Sequence, residues 1–182
     1  MIGLDLSLRQ TGMCYIPEKW NFLHSSTVTK SIQTEREKGA KGNPHVLARL
    51  EVDRYLKVAK GIVDFVRVHG VQHVVIENYA YSRSGMSSSV VALAELGGVV
   101  KSQLVLACKA PAVSVAVNSA RSFLTGGLKR GGQKAQVDVF LRSLDFRFDN
   151  YDEMDAFVVA FYWYSKINEL DNPLLAQRRL DF

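Results

Sequence analysis

Residues 2–16 read IGLDLSLRQTGMCYI, and the fold follows from how that stretch is parsed. Ile2 to Leu6 is a short apolar run, the residues after it are turn-prone, and Gly12 to Ile16 is a second apolar run. Strands joined by so short a connection pair antiparallel. A third run, Trp20 to Val28, carries Trp20, Phe22 and Leu23 beside Ser and Thr, and extends the pair into a three-stranded meander. Asp5 stands inside the first strand, among Ile2, Leu4 and Leu6. Such a strand belongs at the centre of a sheet, where an unpaired charge is costly to bury. Asp5 is therefore the residue from which a functional reading starts.

Beyond the meander, Lys30 to Asn43 (KSIQTEREKGAKGN) is polar and glycine-containing and reads as a mobile surface loop. A helix follows Pro44, with Tyr55, Val58, Ala59, Ile62 and Val66 at spacings of three and four, and Gly70 stops it. Gln72 to Glu77 (QHVVIE) has the β-branched apolar character of a central strand covered on both faces. A polar loop, Asn78 to Ser88, leads into a long helix ending near Lys109, and Ala112 to Val117 forms a fifth strand. Helices then cover Ser119 to Leu124, Gln133 to Leu144 and Tyr151 to Asn168. A meander followed by strand–helix alternation gives an α/β protein: a mixed five-stranded sheet flanked by helices. Residues 1–168 form one domain, and 169–182 a C-terminal tail.

The 182 residues suit one core, and 47% hydrophobic with 23% charged residues excludes a disordered chain. The net charge of +5 permits a polyanionic partner without demanding one. Cys14 and Cys108 show no zinc-ligand spacing and fit a reducing compartment. Asp5 stands where a signal peptide needs apolar residues, and Glu95 and Lys101 interrupt the most apolar stretch, Val90 to Ala107. The expectation is a cytoplasmic protein with no membrane contact.

Four carboxylates occupy special places. Asp5 lies in the first strand, Glu77 ends the fourth, and Asp152 and Asp155 stand three apart at the start of the last helix, on one face. Asn150 and Glu153 have the spacing of a capping box, which supports that helix start. Acids in a first helical turn also suit the macrodipole, so Asp152 or Asp155 alone carries little. The segment Asp149 to Asp155 holds four acids and no base, so no cation nearby in sequence neutralises them. Oxygen ligands alone point to Mg²⁺, with Mn²⁺ able to substitute, rather than zinc. Three or four carboxylates can hold two such ions about 4 Å apart, one activating water and one stabilising a leaving oxygen in phosphodiester cleavage.

GLDLSLRQTG, VVIENYAYSR, NSARSFLTGGLKRGGQKAQV and DEMDAFVVA stand in the order and spacing of the RuvC family, and the chain from Ile2 to about Tyr164 resembles a RuvC-type Holliday junction resolvase with the ribonuclease-H-like fold. The resemblance implies a two-metal endonuclease that nicks symmetric strands of four-way DNA junctions in recombination and repair. It places the metal ligands at Asp5, Glu77, Asp152 and Asp155, the four already selected. Lys134 falls in a Lys-x-Gln-Val pattern and would stabilise the scissile phosphate or leaving oxygen. The turn Asp5-Leu6-Ser7-Leu8-Arg9 departs from the family's Asp-Pro-Gly-Ser-Arg and looks closer to phage-type members, which suggests a bacterial or phage-infected cell. It brings Ser7 and Arg9 to the DNA. The stacking aromatic that cellular members carry three residues after the catalytic glutamate is Ala80 here, flanked by Tyr79 and Tyr81.

The remaining DNA-binding candidates follow from charge and aromaticity. Arg121, Lys129, Arg130 and Lys134 lie between Asn118 and Gln136 with no acid and with four glycines, a composition suited to phosphate contact. Tyr79, Tyr81 and Arg83 suit stacking and phosphate contact at an unpaired junction centre. The helix around Val90 to Leu106 is apolar nearly all round, so a homodimer across it is expected, matching a two-fold substrate. Gln177 to Phe182 loosely resembles peptides that dock sliding clamps, although a frayed terminus reads the same way. Two alternatives stay open: a broader nuclease for branched DNA or RNA, and a junction-binding protein that does not cut.

Overall fold

The structure, a computed structural model, describes residues 1–20, 27–34, 43–78, 88–127 and 133–174. Among the described residues, five strands and five helices follow one another as β1 (Ile2–Asp5), β2 (Gln10–Tyr15), β3 (Val28–Gln33), α1 (Pro44–His69), β4 (Val74–Glu77), α2 (Ser88–Cys108), β5 (Ala112–Val115), α3 (Val117–Thr125), α4 (Gln133–Ser143) and α5 (Tyr151–Ile167). The strands form one sheet in the order β3-β2-β1-β4-β5. β1 pairs antiparallel with β2 and parallel with β4, and β4 pairs parallel with β5. The expected mixed sheet with an antiparallel meander is what the chain forms.

The side-chain alternation of the strands divides the core in two. Ile2, Leu4, Val74 and Ile76 face α1 and α2, packing on Ile62, Val66, Leu96, Val100 and Leu104. The other face carries Val75 and Val115 beneath α3, α4 and α5, where Phe157 and Phe161 meet Trp20 edge-on. Asp5 and Glu77 share the alternation phase of Gly3 and Val75, so the α5 side of the sheet is theirs.

The third strand is Val28–Gln33 rather than Trp20 to Val28, and so lies largely in the stretch expected to be a loop. It is an edge strand with β2 as its partner, so its sequence VTKSIQ can be polar where solvent covers it. Trp20 belongs to the core instead, beside Phe146, Phe157, Phe161 and Tyr164. α1 starts as expected, with the Asn43 side chain accepting from the His45 N–H and proline in its first turn. It ends at Gly70, whose φ of 61° is left-handed.

The expectation for Val90 to Ala107 needs correction. By length and composition Val90–Cys108 is apolar enough to cross a bilayer, and Glu95 and Lys101 do not remove it from that class. In the fold its stripe of Ala92, Leu96, Val100 and Leu104 is buried in the core. Val91, Val105 and Leu106 remain exposed, Leu106 at 77%.

Candidate metal centre

Asp5 and Glu77 are the last residues of the adjacent strands β1 and β4. The third acid reaches them because α5 lies unusually close to the sheet. A Cβ on Gly3 would run into the Ala156 carbonyl oxygen, and a Cβ on Gly12 into the Asp152 carbonyl. Any larger residue at either position would push α5 off β1 and β2. The helix start is held by the N-cap half of the expected box: the Asn150 side chain accepts from the Glu153 N–H at 2.9 Å, and its amide Nδ2 donates to Glu153 Oε1 at 3.1 Å.

Carboxylate oxygens of Asp5, Glu77 and Asp155 consequently lie within 4.8 Å of one another. Asp155 is fully buried and Asp5 is 9% exposed. Burial, and next the neighbouring charge of Glu77, push the Asp5 carboxyl up to about 10. Burial also raises Glu77, with Asp155 adding to it, although a hydrogen bond from Asp5 works the other way. Both carboxyls are thus pushed toward the protonated form, and a hydrogen bond joins them. Crowding of this kind, with acceptor oxygens only, is the donor set of a hard divalent cation, and one ion between the three would offset both the burial of their charge and their mutual repulsion.

Asp152 falls outside this compact group. It sits one turn before Asp155, half-buried, and its own carboxyl is raised chiefly by burial, with Lys134 pulling it down and Asp155 pushing it up. Its charge still contributes to raising Asp5. The four expected ligands therefore divide into three that converge and one at the rim.

No cation is nearby in sequence, but the fold brings two to the cluster. Arg121 donates to Asp155 through two bonds, Nε to Oδ1 at 3.0 Å and Nη2 to Oδ2 at 2.7 Å. Lys134 Nζ lies 2.7 Å from Asp155 Oδ2. Both cations come from other helices, Arg121 being 34 residues away in sequence, so a local charge count could not find them. Arg121, expected among the DNA-binding residues, lies inside the fold. It is 7% exposed, and its guanidinium is turned to Asp155 rather than outward. The sequence does contain a signal for this: Val117, Ala120, Arg121 and Leu124 have the spacing of one helical face, so the arginine occupies a slot in the buried stripe of α3.

Lys134, expected to stabilise the scissile phosphate or leaving oxygen, stands at the start of α4 beside Asp155, with its side chain 45% exposed. Burial opposes its charge, but Asp155 and Asp5 hold its pKa above the ordinary lysine value. Ser7 is built into the turn between β1 and β2: its hydroxyl accepts from the Arg9 and Gln10 N–H groups at 3.3 and 3.4 Å. Arg9 is exposed on that turn. Tyr79, Tyr81, Arg83, Lys129, Arg130 and the tail Gln177 to Phe182 lie outside the described residues.

No protein-family model matches the chain, and a search of curated proteins finds no match. Solved structures do match over nearly its whole length. Thermus thermophilus RuvC in complex with a Holliday junction substrate superposes with a TM-score of 0.66 at 11% identity, covering 92% of this chain and 96% of that one. Another Thermus thermophilus RuvC structure gives 0.61 at 12% identity, over 93% and 97%. The yeast mitochondrial Holliday junction resolvase gives 0.59 at 12% identity, over 96% and 82%. The protein has the fold of these resolvases, in agreement with the resemblance carried by its four sequence motifs.

Proposed function

We propose that this protein is a divalent-metal-dependent endonuclease that resolves four-way DNA junctions. The convergence of Asp5, Glu77 and Asp155 at one end of the sheet carries the reading, and two structural neighbours, a RuvC in complex with a Holliday junction and a mitochondrial Holliday junction resolvase, support it. Asp5, Glu77 and Asp155 would hold one Mg²⁺ ion, and Asp152 at the rim would help to hold a second. Bound there, the ions would supply Lewis-acid activation of water and stabilisation of the leaving oxygen.

The chain's own residues do the rest. Lys134 is half-exposed and tied to the cluster through Asp155 Oδ2, so it can turn to an incoming phosphate without unfolding anything. Arg9 on the β1–β2 turn is exposed and free to meet a phosphate of the same strand. A second copy of the chain, joined through the exposed face of α2, would present two such sites to a two-fold junction. Val91, Val105 and Leu106 lie on that face, and open space above Gly98 admits another backbone.

The test is cleavage of a labelled synthetic four-way junction in Mg²⁺, with linear duplex alongside. Paired symmetric nicks on the junction, with the duplex left intact, are expected. Equal cutting of other branched substrates would turn the reading to a broader nuclease. Tight junction binding without any cut would leave a binding protein.

A further inference from the structure

We propose that Arg121 is a positioning residue: a cation built into the acidic cluster that holds Asp155 in its ligand orientation and stands in for part of the ion's charge. The inference rests on reading Asp5, Glu77 and Asp155 as an ion site. An arginine this buried is rare unless paired, and this one is paired through the fork geometry that fixes a carboxylate in plane as well as in place. Its backbone is equally fixed, on the face of α3 that carries buried Ala120 and Leu124.

Counting acceptor sites separates the two cations. A carboxylate has about four lone-pair positions. Among the described residues, Asp155 Oδ2 receives both Arg121 Nη2 and Lys134 Nζ, while Oδ1 receives Arg121 Nε. Oδ1 therefore keeps one position for an ion. Lys134, half-exposed and singly bonded, can leave and release Oδ2 to substrate chemistry. Arg121, buried and doubly bonded, stays.

A fixed cation in the cluster should make folding largely independent of the ion. Without it, Asp155 would be a buried charge among acids, and a bound dication would be needed to offset it. Thermal melting of the full chain, with and without saturating Mn²⁺, tests this in wild type, Arg121→Met and Arg121→Lys. Arg121→Met is expected to melt on the order of 10 °C lower without ion. Saturating Mn²⁺ should recover most of that loss, so the Mn²⁺-induced shift is larger in the variant than in wild type. Arg121→Lys, which keeps the charge and loses the fork, should fall between them.

Equal Mn²⁺-induced shifts in wild type and Arg121→Met would overturn the proposal, because an arginine that only fills space lowers both melts alike. Should Arg121→Met not fold, the Arg121→Lys shift must exceed that of wild type, and an equal shift counts against the proposal. A wild-type protein that takes up no Mn²⁺ would remove the ion-site reading itself and the proposal with it.

Discussion

α5 and α2 are both long apolar helices, laid on opposite faces of one sheet, and they spend their surfaces differently. From Glu153 to Phe161 α5 is buried on every side, between the sheet, α3 and the aromatic group around Trp20. Its two ends emerge, the first turn carrying Asp152 and the last carrying Lys166 and Ile167. α2 buries one stripe and leaves Val91, Val105 and Leu106 in solvent. A helix enclosed all round is held to the tolerance that ligand geometry needs, whereas a half-used helix keeps a surface for something outside the fold. Substitutions on the two helices and their seats should accordingly fail in different ways.

The largest effect is expected at the cluster itself. Asp5→Asn should lower junction cleavage about a thousandfold or more, since an amide would replace a carboxylate of the proposed ion site. The melting temperature should not fall, because Asp5 is already held protonated by burial and by Glu77. A cleavage assay and a melt on the same preparation check both halves. A variant that cuts normally removes Asp5 from the chemistry.

Next comes the seat of α5. Gly12→Ala places a methyl group where the Asp152 carbonyl oxygen stands, and backbone cannot move aside as a side chain can. A loss of about 3 kcal/mol or more is expected, near the upper end for overpacking, which corresponds to a fall of roughly 10 °C in Tm. Denaturation melts measure it. Melting at the wild-type temperature would show that α5 is not held as close as its contacts indicate.

A smaller effect concerns pH. The raised Asp5 and Glu77 carboxyls keep protons that the unfolded chain releases near pH 4, so the folded state binds more protons from there upward. Stability of the ion-free protein should fall as pH rises from about 5 to 9. Saturating Mn²⁺ replaces the proton, so the ion-induced rise in Tm should grow over the same range. Asp5→Asn should flatten the slope. A flat wild-type profile would contradict the assigned protonation.

The smallest effect on the fold is expected on α2. Leu106→Glu, at a 77% exposed position, should change stability by no more than about 0.5 kcal/mol. Sedimentation equilibrium should nevertheless show the wild type as a dimer and this variant as the 20.3 kDa monomer. A wild-type monomer at micromolar concentration would leave the exposed stripe without the partner assigned to it.

Much of this was legible before any coordinates. The central strands announce themselves by apolar runs, the Asn150–Glu153 spacing marks the start of α5, and Asp5 is conspicuous because a charge among Ile2, Leu4 and Leu6 has to be explained. β3 was not legible, because an edge strand with one neighbour and a wet face has little need of apolar residues. The Arg121–Asp155 pair escaped a local charge count because it joins α3 to α5 across the core. Gly3 and Gly12 read as ordinary strand glycines until the α5 backbone is seen lying against them.

The central claim is that three carboxylates delivered by β1, β4 and α5 form one divalent-cation site. Titration of Mn²⁺ into the full chain at neutral pH, followed by electron paramagnetic resonance of the free ion, tests it without reference to any substrate. The account predicts saturable uptake by the wild type and its loss in Asp5→Asn. Unchanged uptake by Asp5→Asn, or none by the wild type, would contradict it.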